Sequence, residues 1–271
     1  MRTEVYMDRF FDELRKEGRV LVFGHRGMSQ YYPENTMLSF SKCAENPSVD
    51  GVELDVHVCK SGEVVVAHDF SLKRTAGIDR EIEDLTLDEL RSIDVGSFKS
   101  PEFSACRIPL LSELFSTVGD RFIYDVELKV KAWHVNRDLS RKVYALIREY
   151  GLEKNVLVSS FNPFALRAFR SVSHGTIPTA DIFEDAPSIP KPLRYGGGRL
   201  VSRSTFQKPV FRQIDDSYLA SHGALPIVTW TVNEEAEVRR LMALNKGGMK
   251  VFGLIGNDPA MLARALTCCA E

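Results

Sequence analysis

Eight short β-rich runs alternate with helical stretches along the chain, and this alternation restricts the fold more than any other feature. The runs span residues 20–24, 51–58, 121–130, 156–161, 177–183, 200–206, 227–232 and 251–255, with a short extension at 63–67 after the turn Lys60-Ser61-Gly62. Helical periodicity covers 35–45, 137–150, 164–172, 234–244 and 259–267. Within 137–150, Leu139, Val143, Leu146 and Ile147 share one face and Gly151 ends the run. Strands alternating with helices build a parallel sheet. Eight such units in 271 residues favour closure over an open sheet. The expected fold is α/β, a (β/α)8 TIM barrel, with residues 1–271 forming a single domain.

One connection is out of proportion. About forty residues separate His68 from the helix expected near Leu111. Connections this long inside a compact domain carry their own structure or a function. Within it, Leu85-Thr86-Leu87-Asp88-Glu89-Leu90 reads as a capped helix start. The segment at about 70–110 is therefore expected to be a small insertion after the second strand, placed over the catalytic mouth. Met7, Phe10, Phe11 and Leu14 recur at helical spacing in the charged N-terminal arm, which predicts a short amphipathic helix closing the barrel bottom.

Composition narrows the partners. With 35 basic and 37 acidic side chains the net charge is -2, which points to neither a nucleic acid nor an anionic membrane. No apolar run approaches the roughly 18 residues that span a bilayer, and residues 1–18 show no apolar leader core, so no stable membrane anchor and no secretory signal are expected. The five cysteines are odd in number and fit no zinc spacing, which predicts free thiols and a cytoplasmic location.

Candidate chemistry lies where strands end. Glu53 and Asp55 alternate with Val52, Leu54 and Val56, so a period of two puts both carboxylates on one face. Glu127 and Lys129 repeat the pattern against Tyr124, Val126 and Leu128. Carboxylates converging from neighbouring strands repel unless a cation joins them, and oxygen ligands suit Mg²⁺ or Ca²⁺. His25 follows the first strand and His68 the short extension. Two imidazoles titrating near neutrality can act as general base and general acid. Arg26 and Lys129 supply donors for phosphate oxygens, and Trp230 is placed to wall a substrate pocket. His57 shares the Glu53 face but lies further along, as a rim residue; His134, His174 and His222 have no partner pattern. Gly196-Gly197-Gly198 is not followed by Lys-Ser/Thr and reads as a plain loop.

Taken together, His25-Arg26-Gly27, Pro33-Glu34-Asn35-Thr36, Glu53-Leu54-Asp55-Val56, Lys60-Ser61-Gly62 and His68-Asp69 followed by Arg74-Thr75 resemble the signature of the glycerophosphodiester phosphodiesterase family. Glu127-Leu128-Lys129, Ser160-Phe161-Asn162, Trp230-Thr231-Val232-Asn233 and Asn257-Asp258-Pro259 continue the resemblance in order, over about residues 20–260. The resemblance implies a TIM barrel with an insertion after the second strand, and hydrolysis of glycerophosphodiesters to an alcohol and glycerol 3-phosphate. It implies one divalent ion, Mg²⁺ or Ca²⁺, held by Glu53, Asp55 and Glu127. It makes His25 and His68 the acid/base pair, Arg26 and Lys129 the phosphate ligands, and Glu34 the residue that orients a histidine. His25 is expected to face His68 across the ion. Two departures stand out: Phe252-Gly253-Leu254-Ile255-Gly256 replaces the usual Asp-Gly of the last strand, and Ser61 replaces an Asp in the Lys-Asp-Gly turn.

Two alternatives share these residues. A lysophospholipase D or sphingomyelinase D-like enzyme would use nearly the same site. A non-catalytic barrel that only binds glycerophosphodiesters would lack a metal ligand or a histidine, and none of the seven candidates is missing. A divalent-metal aldolase or isomerase would explain the carboxylates and the lysine, but not two histidines with an adjacent arginine.

Overall fold

The computed structural model describes residues 18–131, 135–222 and 225–270. The N-terminal helix expected around Met7–Leu14 lies outside these residues, as does His134. Among the described residues nine strands form: β1 Leu21–His25, β2 Gly51–Val58, β3 Val64–Val66, β4 Ile123–Leu128, β5 Val156–Ser160, β6 Thr179–Phe183, β7 Phe206–Pro209, β8 Ile227–Thr229 and β9 Val251–Gly256. The order runs β1-β9-β8-β7-β6-β5-β4-β2, and β1 also pairs with β2, so eight parallel strands close into a barrel. This is the expected TIM barrel. The ninth strand, β3, pairs antiparallel with β2, outside the ring.

The helices are α1 Met37–Ala44, α2 Lys73–Ala76, α3 Leu87–Ser92, α4 Leu111–Val118, α5 Arg137–Glu149, α6 Pro163–Val172, α7 Arg199–Ser202, α8 Asp216–His222, α9 Glu235–Leu244 and α10 Pro259–Ala270. Parallel strands covered on both faces are apolar on both. Outward-facing Val52, Leu54, Val56, Tyr124, Val126 and Leu128 pack on Leu139, Val143, Ile147 and Phe169 from the helix layer. Inward-facing Leu21, Phe23, Leu157, Ala180, Phe206 and Val228 fill the barrel. The upper interior is polar instead, and that is where the site lies.

The long connection has its own core. Cys59, Val65, Leu72, Ile82, Leu85, Leu90, Val95 and Ile108 form a separate buried cluster. Thr86 caps α3 and Glu89 returns the bond, a capping box at the expected place. This segment covers the end of β2 and changes the reading of His57. Expected at the rim, His57 is fully buried, edge-on to Phe70 at 4.9 Å and 3.5 Å from Glu83.

The sixth barrel strand is displaced from its expected place. Of residues 200–206 only Phe206 is in a strand: α7 occupies Arg199–Ser202 and the strand is Phe206–Pro209. Leu200, which reads as a core residue, is 88% exposed. The strand instead carries Gln207 and Lys208, both buried. Gln207 is satisfied on the outer face by Tyr218 Oη at 2.5 Å and the His222 carbonyl at 2.6 Å. Hydrogen-bonded polar side chains thus stand where the strand pattern predicts an apolar run.

Candidate active site

Strand register assembles the site. His25 pairs with Glu53, Glu53 with Asp125 and Asp55 with Glu127, so three adjacent strands present their inward polar side chains at neighbouring heights. One carboxylate oxygen from each of Glu53, Asp55 and Glu127 can be chosen so that all lie within 4.8 Å of one another, and all three residues are buried. Asp55 Oδ1 has no hydrogen-bond partner, although it is buried. A buried carboxylate oxygen that makes no hydrogen bond and only an ion pair, with Lys129 Nζ at 3.3 Å, fits a divalent cation when it stands in a cluster of hard donors.

The surrounding charges agree. Burial pushes the Glu53 carboxyl up to about 8 against the pull of Lys208, and Asp55, Asp125 and Glu127 add to the rise. Burial also works against the charge on Asp55, yet Lys129, His68 and Arg26 hold it below the usual carboxylate range. Among the described residues, four buried carboxylates, the fourth being Asp125, face three cations here: Arg26, Lys129 and Lys208. A dication would favour the ionised form of Glu53, which burial and the three neighbouring carboxylates oppose.

The donors expected to bind phosphate are close by. Lys129 Nζ lies 2.8 Å from Glu127 and 3.3 Å from Asp55. Arg26 Nε lies 3.5 Å from Asp55, and its Nη1 donates to Glu34 at 3.0 Å. Arg26 itself adopts φ 54°, a left-handed conformation uncommon for a side-chain-bearing residue. Gly27 follows at φ 86°, and a Cβ there would stand 2.2 Å from Ser39 Oγ, so only glycine fits. Asn35, also left-handed at φ 54°, donates through its side chain to Asp55 Oδ2 at 2.9 Å. These backbone conformations fold the loop after β1 down onto the carboxylates.

Each histidine is held through Nδ1. His25 Nδ1 meets Asn257 Oδ1 at 2.7 Å; an amide oxygen only accepts, so this nitrogen carries the proton and Nε2 faces Glu53 at 3.9 Å. Burial first, then Arg26, lowers the His25 pKa to about 3. His68 Nδ1 meets Asp69 Oδ1 at 2.7 Å, and Arg74 steadies Asp69 from the other side at 2.6 Å.

Glu34 is placed differently from the sequence expectation. Its hydrogen bonds go to Arg26 and Arg74, so it orients arginines rather than a histidine. The groups that hold the histidines are Asn257 and Asp69. Both lie within motifs visible in the sequence, as do Asn35 and Arg74, although none stands out there by charge or period. Two further residues, Asp125 and Lys208, escape the sequence reading altogether. Asp125 continues the period-two pattern back from Glu127, a signal that could have found it; Lys208 has no such signal.

Trp230, expected to wall the pocket, packs against the inner-barrel core just after β8. Its Nε1 donates to the Lys208 carbonyl at 2.9 Å, and its ring stands perpendicular to Phe161 at 5.6 Å. Beside Glu127 and Lys129 opens a cavity of about 500 Å³, walled by Phe70, Phe161, Pro163, Ile189 and Leu193. Among the described residues, no helix is long and apolar enough to cross a membrane, and all five cysteines are unpaired.

Residues 25–260 match the model of the Glycerophosphoryl diester phosphodiesterase family. The chain is 30% identical over 254 residues to a glycerophosphodiester phosphodiesterase of Caldanaerobacter subterraneus subsp. tengcongensis, covering 90% of this chain and 96% of that one. It is 29% identical over 275 residues to a lysophospholipase D of Homo sapiens, covering 87% and 84%. Its fold superposes on a crystal structure from Silicibacter pomeroyi with a TM-score of 0.79 at 25% identity, covering 93% and 94%.

Proposed function

The chain belongs to the glycerophosphoryl diester phosphodiesterase family, and on that premise we propose that the barrel mouth cleaves a glycerophosphodiester to an alcohol and glycerol 3-phosphate by His25/His68 acid-base catalysis. The observation that carries this reading is the cluster of Glu53, Asp55 and Glu127, with Arg26 and Lys129 beside it and two imidazoles held by their Nδ1 atoms.

Glu53, Asp55 and Glu127 would hold one Mg²⁺ or Ca²⁺, which when bound polarises the phosphoryl group and offsets its charge. Arg26 and Lys129 grip the non-bridging oxygens and stabilise the charge that grows on them. One imidazole Nε2 takes the proton of the substrate's own glycerol hydroxyl as it attacks phosphorus. The other protonates the departing alcohol oxygen, which gives a cyclic phosphate. With the roles reversed, water opens the ring and leaves glycerol 3-phosphate. Asn257 and Asp69 keep each ring in the orientation these transfers need. Lys129, protonated and engaged by two carboxylates, is a charge donor here and no Schiff-base nucleophile.

The test is a coupled assay for glycerol 3-phosphate release across a panel of glycerophosphodiesters, with and without a chelator. Release that stops on chelation and returns with Mg²⁺ or Ca²⁺ is the expected result. Full activity after exhaustive chelation would sink the metal assignment.

A second reading has its own support. The cavity beside Lys129 has apolar walls in Phe70, Phe161, Ile189 and Leu193, room for an acyl chain carried on the substrate's glycerol while choline still leaves. A lysophospholipase D reaction would use it. Side-by-side turnover of glycerophosphocholine and lysophosphatidylcholine separates the two.

A further inference from the structure

Lys208 stands on β7, across the barrel from β2 and β4, with 2% of its side chain exposed. Its ammonium ends among acids: 2.8 Å from Asp125 Oδ2, 3.5 Å from Glu53 Oε1 and 3.2 Å from Ser159 Oγ. Ser159 donates in turn to Asp125 Oδ1 at 2.6 Å. Both Asp125 oxygens are thereby engaged.

Glu53 is gripped at both oxygens. Oε1 faces Lys208, while Oε2 lies 3.3 Å from the Arg26 backbone N–H and 3.9 Å from His25 Nε2. A glutamate has three rotatable bonds, and a carboxylate that must meet a small cation needs them fixed. A lysine and an aspartate that served stability alone would gain little over an apolar pair in this interior. Their place directly beside a proposed ligand gives the pair a different purpose.

We infer that Lys208 is a positioning residue for the cation site: it fixes Glu53 from below and, with Ser159, keeps Asp125 out of the ligand set. The site then presents three carboxylates rather than four. This inference rests on the reading of Glu53, Asp55 and Glu127 as cation ligands.

The test uses the full chain and Mn²⁺ as probe, with binding followed by electron paramagnetic resonance in the absence of substrate. Lys208→Met alone would leave Asp125 buried and unpaired, so it is made together with Asp125→Asn, which keeps the net charge and strands no ion. The double variant is expected to keep the parent's unfolding midpoint within a few degrees and to bind Mn²⁺ about 10–100-fold more weakly. A second double variant, Lys208→Gln with Asp125→Asn, restores a neutral donor toward Glu53 and is expected to recover most of the affinity. Mn²⁺ binding by the first double variant within twofold of the parent would overturn the inference, since Lys208 would then only balance Asp125. Unfolding of both double variants would overturn it too, making the pair a folding requirement. A parent chain that binds no Mn²⁺ fails the cation reading itself, and the inference with it.

Discussion

Arg74, on the segment inserted after β3, donates two hydrogen bonds to Glu34 on the loop after β1, at 2.9 and 2.7 Å. Glu34 in turn accepts from Arg26, and Arg74 also reaches Asp69, which holds His68. One chain of charged contacts thus runs from Arg26, a proposed phosphate ligand, to a proposed catalytic histidine through the insertion.

Breaking that chain should be felt in catalysis more than in stability. Arg74 is nearly half exposed, so its ion pairs contribute about 1 kcal/mol or less to folding. Arg74→Ala is expected to lower kcat/KM about 10–100-fold, by loosening Arg26 and His68 together, while the unfolding midpoint moves by no more than a few degrees. Glu34→Gln keeps the shape but weakens both arginine contacts, and its loss should be of similar size. Steady-state kinetics beside thermal unfolding checks this. Wild-type kinetics in both variants would show the chain to be incidental.

Gly27 is the tightest point of the loop after β1. An added Cβ would stand 2.2 Å from Ser39 Oγ and 2.8 Å from Ser39 Cβ, at a φ of 86° that alanine resists. Gly27→Ala should therefore cost about 3 kcal/mol, with a fall in midpoint of several degrees. Ser39→Gly in the same chain removes the side-chain part of the clash but leaves the backbone carbon of residue 39 at 2.9 Å and the strained φ, so it should return only part of the loss. Denaturant unfolding of the two variants separates the contributions. A Gly27→Ala variant as stable as the parent contradicts the geometry.

Asp181 gives the chain a pH signature away from the site. It faces outward from β6 beneath α7, and burial pushes its pKa up to about 6 against the Ser202 hydrogen bond and the pull of Arg199. A carboxyl whose folded pKa lies above its unfolded value of 3.8 binds its proton more tightly when folded. Its contribution to stability is largest below about pH 4 and is lost as the pH rises through about 6. The distance between those two pKa values limits the effect to about 3 kcal/mol at most. Asp181→Asn should thus be about 1–2 kcal/mol more stable than the parent at pH 7.5 and no more stable at pH 4. Urea unfolding at the two pH values decides it; an equal difference at both would place the effect elsewhere.

What was legible in the sequence follows from the range of each interaction. The Glu53/Asp55 and Glu127/Lys129 pairs show themselves through a period of two, which is local and needs no tertiary knowledge. The Thr86 cap is equally local. Lys208 is the opposite case. A charged side chain reads as surface, and the acid that makes its burial tolerable is Asp125, on a strand far away in the chain. The apolar Leu200 and Val201 then draw the expected strand a few residues early. His57 fails for a related reason: the insertion that buries it is built from residues 70–110, and its cover is not written in β2.

The two histidines are held alike but by different partners, and that difference supplies the last test. His25 rests on a neutral amide, Asn257, and His68 on a carboxylate, Asp69. If both carry protons in the reaction, His25→Ala and His68→Ala should each lower kcat at least about 100-fold while leaving Mn²⁺ affinity near that of the parent. The acid and the base then separate by leaving group. A substrate whose alcohol is replaced by a nitrophenol needs no proton on departure. The variant lacking the acid should regain most of its rate of first-turnover nitrophenol release on that substrate, and the variant lacking the base should not. Asp69→Asn and Asn257→Ala should show the same pattern at reduced depth, since each loosens one ring without removing it. Near-native rates in either histidine variant, or equal recovery of both on the nitrophenyl ester, would break the acid/base assignment.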